Sequence, residues 1–137
     1  MGSEKLQHTK KMQKIKSARD KMMKDKNIEK GLIIVNTGKG KGKSSAAFGM
    51  ILRCISHDMK CAVVQFIKGS WDTGERRIIE QNFSGLCSFY AMGEGFTWET
   101  QDKERDIFMA EKAWSKAKEL ITDTNNTMVL LDEINIA

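Results

Sequence analysis

The segment Asn36-Thr37-Gly38-Lys39-Gly40-Lys41-Gly42-Lys43-Ser44-Ser45 constrains this chain more than any other feature. Glycines and lysines alternate through it. Such a run is a poor helix or strand interior, because each glycine costs about 1 kcal/mol in a helix and leaves nothing to pack in a sheet. It therefore predicts a loop. The apolar run Leu32-Ile33-Ile34-Val35 precedes it and reads as a strand buried on both faces. The stretch from Ser44 to about His57 follows it and reads as a helix, with Ala47, Met50, Ile51 and Cys54 on one side. Strand, glycine loop and helix in that order form a cradle for an anion. Glycines let successive backbone N–H groups turn inward, and the helix directs its positive end at the same point. Lys43 adds a cation for phosphate oxygens, and the Ser44 hydroxyl suits a Mg²⁺ ligand.

The match to the usual phosphate-loop spacing is imperfect. The first glycine would fall at position 37, which is Thr37, and comes one residue later; Lys39 and Lys41 are additional. A flexible Gly/Lys linker is the alternative, and the strand–loop–helix setting argues against it.

The rest of the chain repeats the alternation. Strands are expected at 61–67, 87–91 and 128–131, and helices at 73–82 and 102–121. The second of these helices carries Ile107, Ala110, Trp114, Ala117 and Ile121 along one stripe. Alternation of this kind predicts an α/β fold, a P-loop (RecA-like) parallel sheet with helices on both faces. Met128-Val129-Leu130-Leu131 ends in Asp132-Glu133, an apolar strand delivering carboxylates to the sheet edge beside the loop. With the loop, it points to a Mg-nucleotide site in which Ser44, Asp132 and Glu133 hold the metal.

Charge divides the chain. Residues 1–30 hold ten basic and four acidic residues, whereas residues 31–137 carry a net charge of −1. The basic arm reads as a solvated helix with a weak apolar stripe of Leu6, Met12, Ile15 and Met22 interrupted by Arg19. It has no aromatic residue to stack on a base, so nucleic acid is not an expected partner. The expected domains are this arm, 1–30, and an α/β nucleotide-binding unit, 31–137. No apolar run is long enough to span a bilayer, and the first residues lack the apolar core of a signal peptide, so a cytoplasmic protein is expected. Cys54, Cys61 and Cys87 have no metal-ligand spacing and read as reduced thiols.

Four ordered blocks resemble the corrinoid adenosyltransferases of the cobalamin pathway. These are Thr37 to Gly49, Val63 to Gly69 with Trp71 and Thr73-Gly74-Glu75, Gly95-Phe96-Thr97-Trp98-Glu99-Thr100, and Leu131 to Asn135. That family shares the displaced first glycine. The resemblance implies transfer of the 5′-deoxyadenosyl group of ATP to the cobalt of a reduced corrinoid, with release of triphosphate. It implies ATP as co-substrate on residues 37–45, with Mg²⁺ or Mn²⁺, and Lys43, Phe96 and Trp98 as catalytic residues. Phe96 and Trp98 would press on the lower corrinoid face. It also implies a homodimer in which an N-terminal helix covers the partner's corrinoid site, and a reducing flavoprotein as electron source. Ser44 and Ser45 replace the family's usual threonine pair and keep the hydroxyls. The family continues past the Asp-Glu strand, so the expected domain lacks its C-terminal part. Two other readings compete: another P-loop enzyme such as a small-molecule kinase, and a nucleotide-binding fragment without catalysis.

Overall fold

The computed structural model describes residues 2–67, 73–93 and 103–136. It divides into two compact units, residues 1–35 and 36–137.

The first unit contains one helix, α1 (Gly2–Lys24), followed by a segment without regular structure. The described side chains of α1 are all exposed, in keeping with the solvated helix expected there. The expected strand at 32–35 does not form. Leu32, Ile33, Ile34 and Val35 are exposed, Ile33 to 95%. The reason is pairing: an apolar run becomes a strand only if its backbone N–H and C=O groups find a neighbouring strand. Among its described residues, the first unit offers a helix and no strand.

The second unit is an α/β layer structure. Its elements are α2 (Lys43–Ser56), β1 (Cys61–Gln65), α3 (Gly74–Asn82), β2 (Cys87–Ala91), α4 (Lys103–Thr122) and β3 (Met128–Asp132). The described sheet has three strands in the order β2-β1-β3, both pairings parallel, where four strands were expected. The register sets Cys61 beside Cys87 and Met128, and Gln65 beside Ala91 and Asp132.

Strand β1 is central, and all five of its residues are buried. Because side chains alternate across a strand, β1 feeds two cores. Cys61 and Val63 join Phe48, Ile51 and Ile55 of α2, Ile79 of α3 and Cys87. Ala62 and Val64 join Phe66 and the Ala113, Ala117 and Leu120 stripe of α4, a face turned from the expected one: of the expected stripe Ala117 is buried, whereas Ile107, Trp114 and Ile121 are exposed, because the small alanines let the helix lie close to the sheet. Helices thus cover both faces, as the alternation of apolar segments predicted. The same parity applies to β3: Met128 and Leu130 pack on the α2 side, Val129 and Leu131 on the α4 side.

Local signals explain the helix starts. Thr73 caps α3, its Oγ1 accepting the Arg76 N–H at 3.4 Å, and Glu75 lies in the first turn. Helix α4 carries Glu104 and Asp106 in its first turn, after Lys103. Both place acids at the positive end of the helix dipole. The three cysteines are free. Burial, helped by the neighbouring Cys61 thiol, pushes the Cys87 pKa up to about 12, and burial raises that of Cys61 too. Both stay protonated at neutral pH and behave as small apolar core residues.

Ile51 is fully buried and Ile33 is 95% exposed. Ile51→Ala should therefore destabilise the chain by about 2–5 kcal/mol in denaturant unfolding, and Ile33→Ala by no more than about 0.5 kcal/mol. A comparable loss at Ile33 would place the 32–35 run in a packed core.

Candidate functional site

The candidate site forms where the glycine–lysine loop, the N-terminus of α2 and the C-terminal ends of β1 and β3 meet. Gly42 precedes α2 as its N-cap, with φ +101° and ψ 1°, and makes no side-chain cap. Gly38 also has a positive φ, +124°. These two positions require glycine, since a Cβ there is strained even though no neighbour would touch it. Gly40 has neither a positive φ nor a close neighbour.

The first turn of α2 contains no acid; it starts instead with Lys43. A cation at a helix N-terminus opposes the dipole, at a cost of roughly 0.3–1 kcal/mol. The first turns of α3 and α4 also hold basic residues but carry acids beside them, Glu75 in α3 and Glu104 with Asp106 in α4; α2 has none. Such a violation is expected where an anion is to be held. Lys43 turns back over the loop, its ammonium donating to the Gly38 carbonyl at 2.8 Å and to the Gly40 carbonyl. An ammonium has three donors, so two carbonyls do not exhaust it. Asn36 Nδ2 donates to the Lys43 carbonyl at 3.4 Å, tying the start of the loop to the helix. Thr37, Lys39, Lys41 and Ser45 are exposed along the same stretch.

Ser44, half-buried in the first turn, donates from Oγ to Asp132 Oδ1 at 2.9 Å. These residues are 88 positions apart, and the contact joins the loop–helix to the end of β3. Asp132 is 8% exposed. Its backbone carbonyl accepts the Phe66 N–H at 3.0 Å, which carries the β1–β3 ladder one residue beyond Gln65. Its other carboxylate oxygen, Oδ2, accepts Nε2 of Gln65 at 3.4 Å. Glu133 follows with φ +60°, a conformation uncommon outside glycine, and is half-buried. Among the described residues, the Ser44 hydroxyl pairs with Asp132 and not with Glu133.

Of the residues singled out in the sequence, Lys43, Ser44 and Asp132 thus converge on one edge of the sheet. Phe96 and Trp98 lie outside the described residues, as do Lys68, Gly69 and Trp71. Gln65 was quoted within a family block but given no role. Its signal was available: a lone amide inside an otherwise apolar run, Cys61 to Ile67. The oxygen donors of Ser44 and Asp132 are of the hard type that suits Mg²⁺, which characteristically takes one or two carboxylates together with phosphate oxygens. Among the described residues, no group of three or more His, Cys, Asp or Glu side chains could hold a metal by itself.

Fold and site together define an α/β protein with a cationic glycine loop facing an acid at a strand end. Residues 29–137 match the family of ATP:corrinoid adenosyltransferases BtuR/CobO/CobP. The chain is 69% identical over 130 residues to a corrinoid adenosyltransferase of a Sinorhizobium species, an alignment covering 95% of this chain and 61% of that protein. It is 48% identical over 130 residues to the Pseudomonas aeruginosa corrinoid adenosyltransferase, covering 95% and 64%. For the Escherichia coli K12 protein of the same name, identity is 44% over 122 residues, covering 89% and 61%. The chain belongs to this family, and it spans somewhat over three-fifths of the length of these relatives.

The loop makes its own prediction. Gly42→Ala should cost about 1–2 kcal/mol in denaturant unfolding, because φ +101° is unfavourable for any residue with a Cβ. Gly40→Ala, in open space, should be neutral within about 0.5 kcal/mol. Equal effects would mean that the loop does not hold this backbone conformation in solution.

Proposed function

We propose that this chain transfers the 5′-deoxyadenosyl group of ATP to the cobalt of a reduced corrinoid, releasing triphosphate, in adenosylcobalamin synthesis or salvage. The observation that carries the reading is the Ser44–Asp132 pair beside the Lys43 loop, in a chain of this family. In this reading the loop is a P-loop and the sheet is RecA-like. Residues 37–45 take the triphosphate of ATP. Ser44 and Asp132, with Glu133 next to them, are the residues to hold Mg²⁺ or Mn²⁺. When bound, the metal offsets charge on the phosphate oxygens.

The proposed chemistry needs cations and no general base, in keeping with the lysines that the described loop supplies. The electron pair of Co(I) attacks C5′, the C5′–O bond breaks, and triphosphate departs with the bonding pair. No proton has to move. The protein's task is to align C5′ with the nucleophile and to stabilise charge on the leaving oxygens. Lys43 is poised for the second task, with Lys39 and Lys41 beside it, and the uncapped N–H groups of α2 add to the field. Phe96 and Trp98 are assigned to the lower corrinoid face. There they displace the axial base and exclude water, which makes Co(II) easier to reduce. A reducing flavoprotein supplies the electron in this scheme. The active form is a homodimer in the cytoplasm, and nucleic acid has no part in it.

Incubation with ATP, Mg²⁺ and chemically reduced cobalamin should give a light-sensitive Co–C product and triphosphate in equal amounts. Release of ADP instead would indicate phosphoryl transfer and overturn the proposal. Lys43→Ala should weaken ATP binding about 10- to 100-fold, the equivalent of losing a charge-assisted hydrogen bond of about 1.5–3 kcal/mol. Unchanged affinity in calorimetric titration would remove Lys43 from the phosphate site.

Trp98→Ala separates the corrinoid role from a packing role. It should lose activity when cob(II)alamin must be reduced by a mild protein reductant, and keep far more when cob(I)alamin is supplied ready-made. ATP affinity should change little. Equal loss in both assays, with a lowered melting temperature, would assign Trp98 to the core.

A further inference from the structure

We propose that Gln65 is a positioning residue for the metal site: it fixes the Asp132 carboxylate so that Ser44 and Asp132 present their oxygens to a divalent cation as one unit. The inference rests on the reading of this site as a Mg-nucleotide site. It begins with strand parity. Gln65 ends β1 on the same face as Cys61 and Val63, the face covered by α2. Its register partner on β3 is Asp132, which shares the face of Met128 and Leu130. Parallel pairing therefore sets the amide and the carboxylate side by side beneath the N-terminus of α2.

The two side chains are 9% and 8% exposed, the only polar residues buried to this degree among those described. A carboxylate so placed is costly unless its oxygens are engaged. Here they are divided: Oδ1 takes the Ser44 hydroxyl at 2.9 Å and Oδ2 takes Gln65 Nε2 at 3.4 Å. A carboxylate only accepts, so the amide must turn its NH₂ toward Asp132. One bond from each side fixes the carboxylate plane. Because each oxygen has two lone-pair sites, both oxygens retain acceptor capacity after these bonds. Ser44 spends its proton on Asp132, which leaves the hydroxyl lone pairs for a cation. Without the amide, the carboxylate can rotate about Cβ–Cγ, and the cation has to order it on binding. The bond is long, so the expected effect is modest.

The test compares ATP affinity with and without Mg²⁺, by calorimetry, for wild type, Gln65→Leu, Asp132→Asn and the double variant. Leucine is close in size and removes the donor; Gln65→Met is a second variant that keeps the side chain's length. Both remove the donor to the Asp132 carboxylate, which keeps its bond from Ser44, and melting curves verify the fold. We expect Mg-free ATP affinity to stay within about 2-fold in Gln65→Leu. The Mg²⁺ concentration giving half of the metal-dependent gain should rise about 3- to 10-fold, the equivalent of one neutral-donor bond. In the Asp132→Asn background, Gln65→Leu should have no further effect, since Gln65 acts through that carboxylate. Equal loss with and without Mg²⁺, or additive effects in the cycle, would overturn the positioning role. If wild type itself binds ATP independently of Mg²⁺, the reading of the metal site fails. If wild type depends on Mg²⁺ and Gln65→Leu behaves identically, only the role of Gln65 fails.

Discussion

The parallel pairing of β1 with β3 is the constraint on which the site depends. It sets Val63 against Leu130 and Gln65 against Asp132, and continues through the Phe66 N–H to the Asp132 carbonyl. A shift of one residue would turn every side chain of one strand to the opposite face. The Asp132 carboxylate would then leave the α2 side for the α4 side and lose both Ser44 and Gln65. That shift is prevented by packing, because it would also exchange the partners of Met128, Val129, Leu130 and Leu131 in the two cores. The apolar residues of β3 thus hold in place the one acid at its end. Helix α2 is held by the same core through Phe48, Ile51 and Ile55, so Ser44 and Asp132 are anchored to one body although 88 residues separate them.

The loop is organised by different forces. It has no apolar anchor, and its side chains are exposed. What shapes it is one ammonium gathering two of its own carbonyls and two glycines in positive-φ conformations. This arrangement breaks two local preferences, a basic residue at a helix N-terminus and a helix start with no side-chain cap. Each costs a fraction of a kcal/mol to about 1 kcal/mol. Helices α3 and α4 balance the basic residues of their first turns with acids, and α3 has a side-chain cap from Thr73. At α2 neither is present, and an anion would reverse the sign of both costs: cation and uncapped N–H groups then become its ligands.

Much of this was legible in the amino-acid order. From Lys43 onward, periodicity and turn residues located each described helix and strand to within a residue or two, but not always the buried face: α4 packs through Ala113, Ala117 and Leu120, while Ile107, Trp114 and Ile121 of the expected stripe are exposed. The Ser44–Asp132 meeting was legible too, since a loop–helix and an acid-ended parallel strand share one sheet edge in such folds. The run at 32–35 was not. Hydrophobicity reports a residue's preference for burial, whereas a strand needs a neighbour's backbone, and composition carries no trace of that neighbour. Gln65 was visible as an exception but not as a contact. Its role appears only when the register is known, and register is a property of two strands that no single segment reveals.

Charge distribution adds a final physical consequence. Apart from the basic arm, the chain is nearly neutral, yet Lys39, Lys41 and Lys43 stand within five residues of one another. The site's positive potential is therefore local, set by three side chains and a helix end instead of by the protein's overall field. A polyanion would feel it strongly only within about a Debye length, roughly 8 Å at physiological ionic strength. Lys39 and Lys41 are exposed and screened, and fit an encounter role. Lys43, fastened to the loop carbonyls, is preorganised and loses little freedom when it meets an anion. A leaving group such as triphosphate gains charge at the bridging oxygen as its bond to carbon breaks. A fixed cation stabilises that change without first having to move, whereas a mobile one must be ordered each time. The tether between Lys43 and its own loop thus holds a preorganised cation over the glycine loop, ready for an anion whose charge grows as a bond breaks.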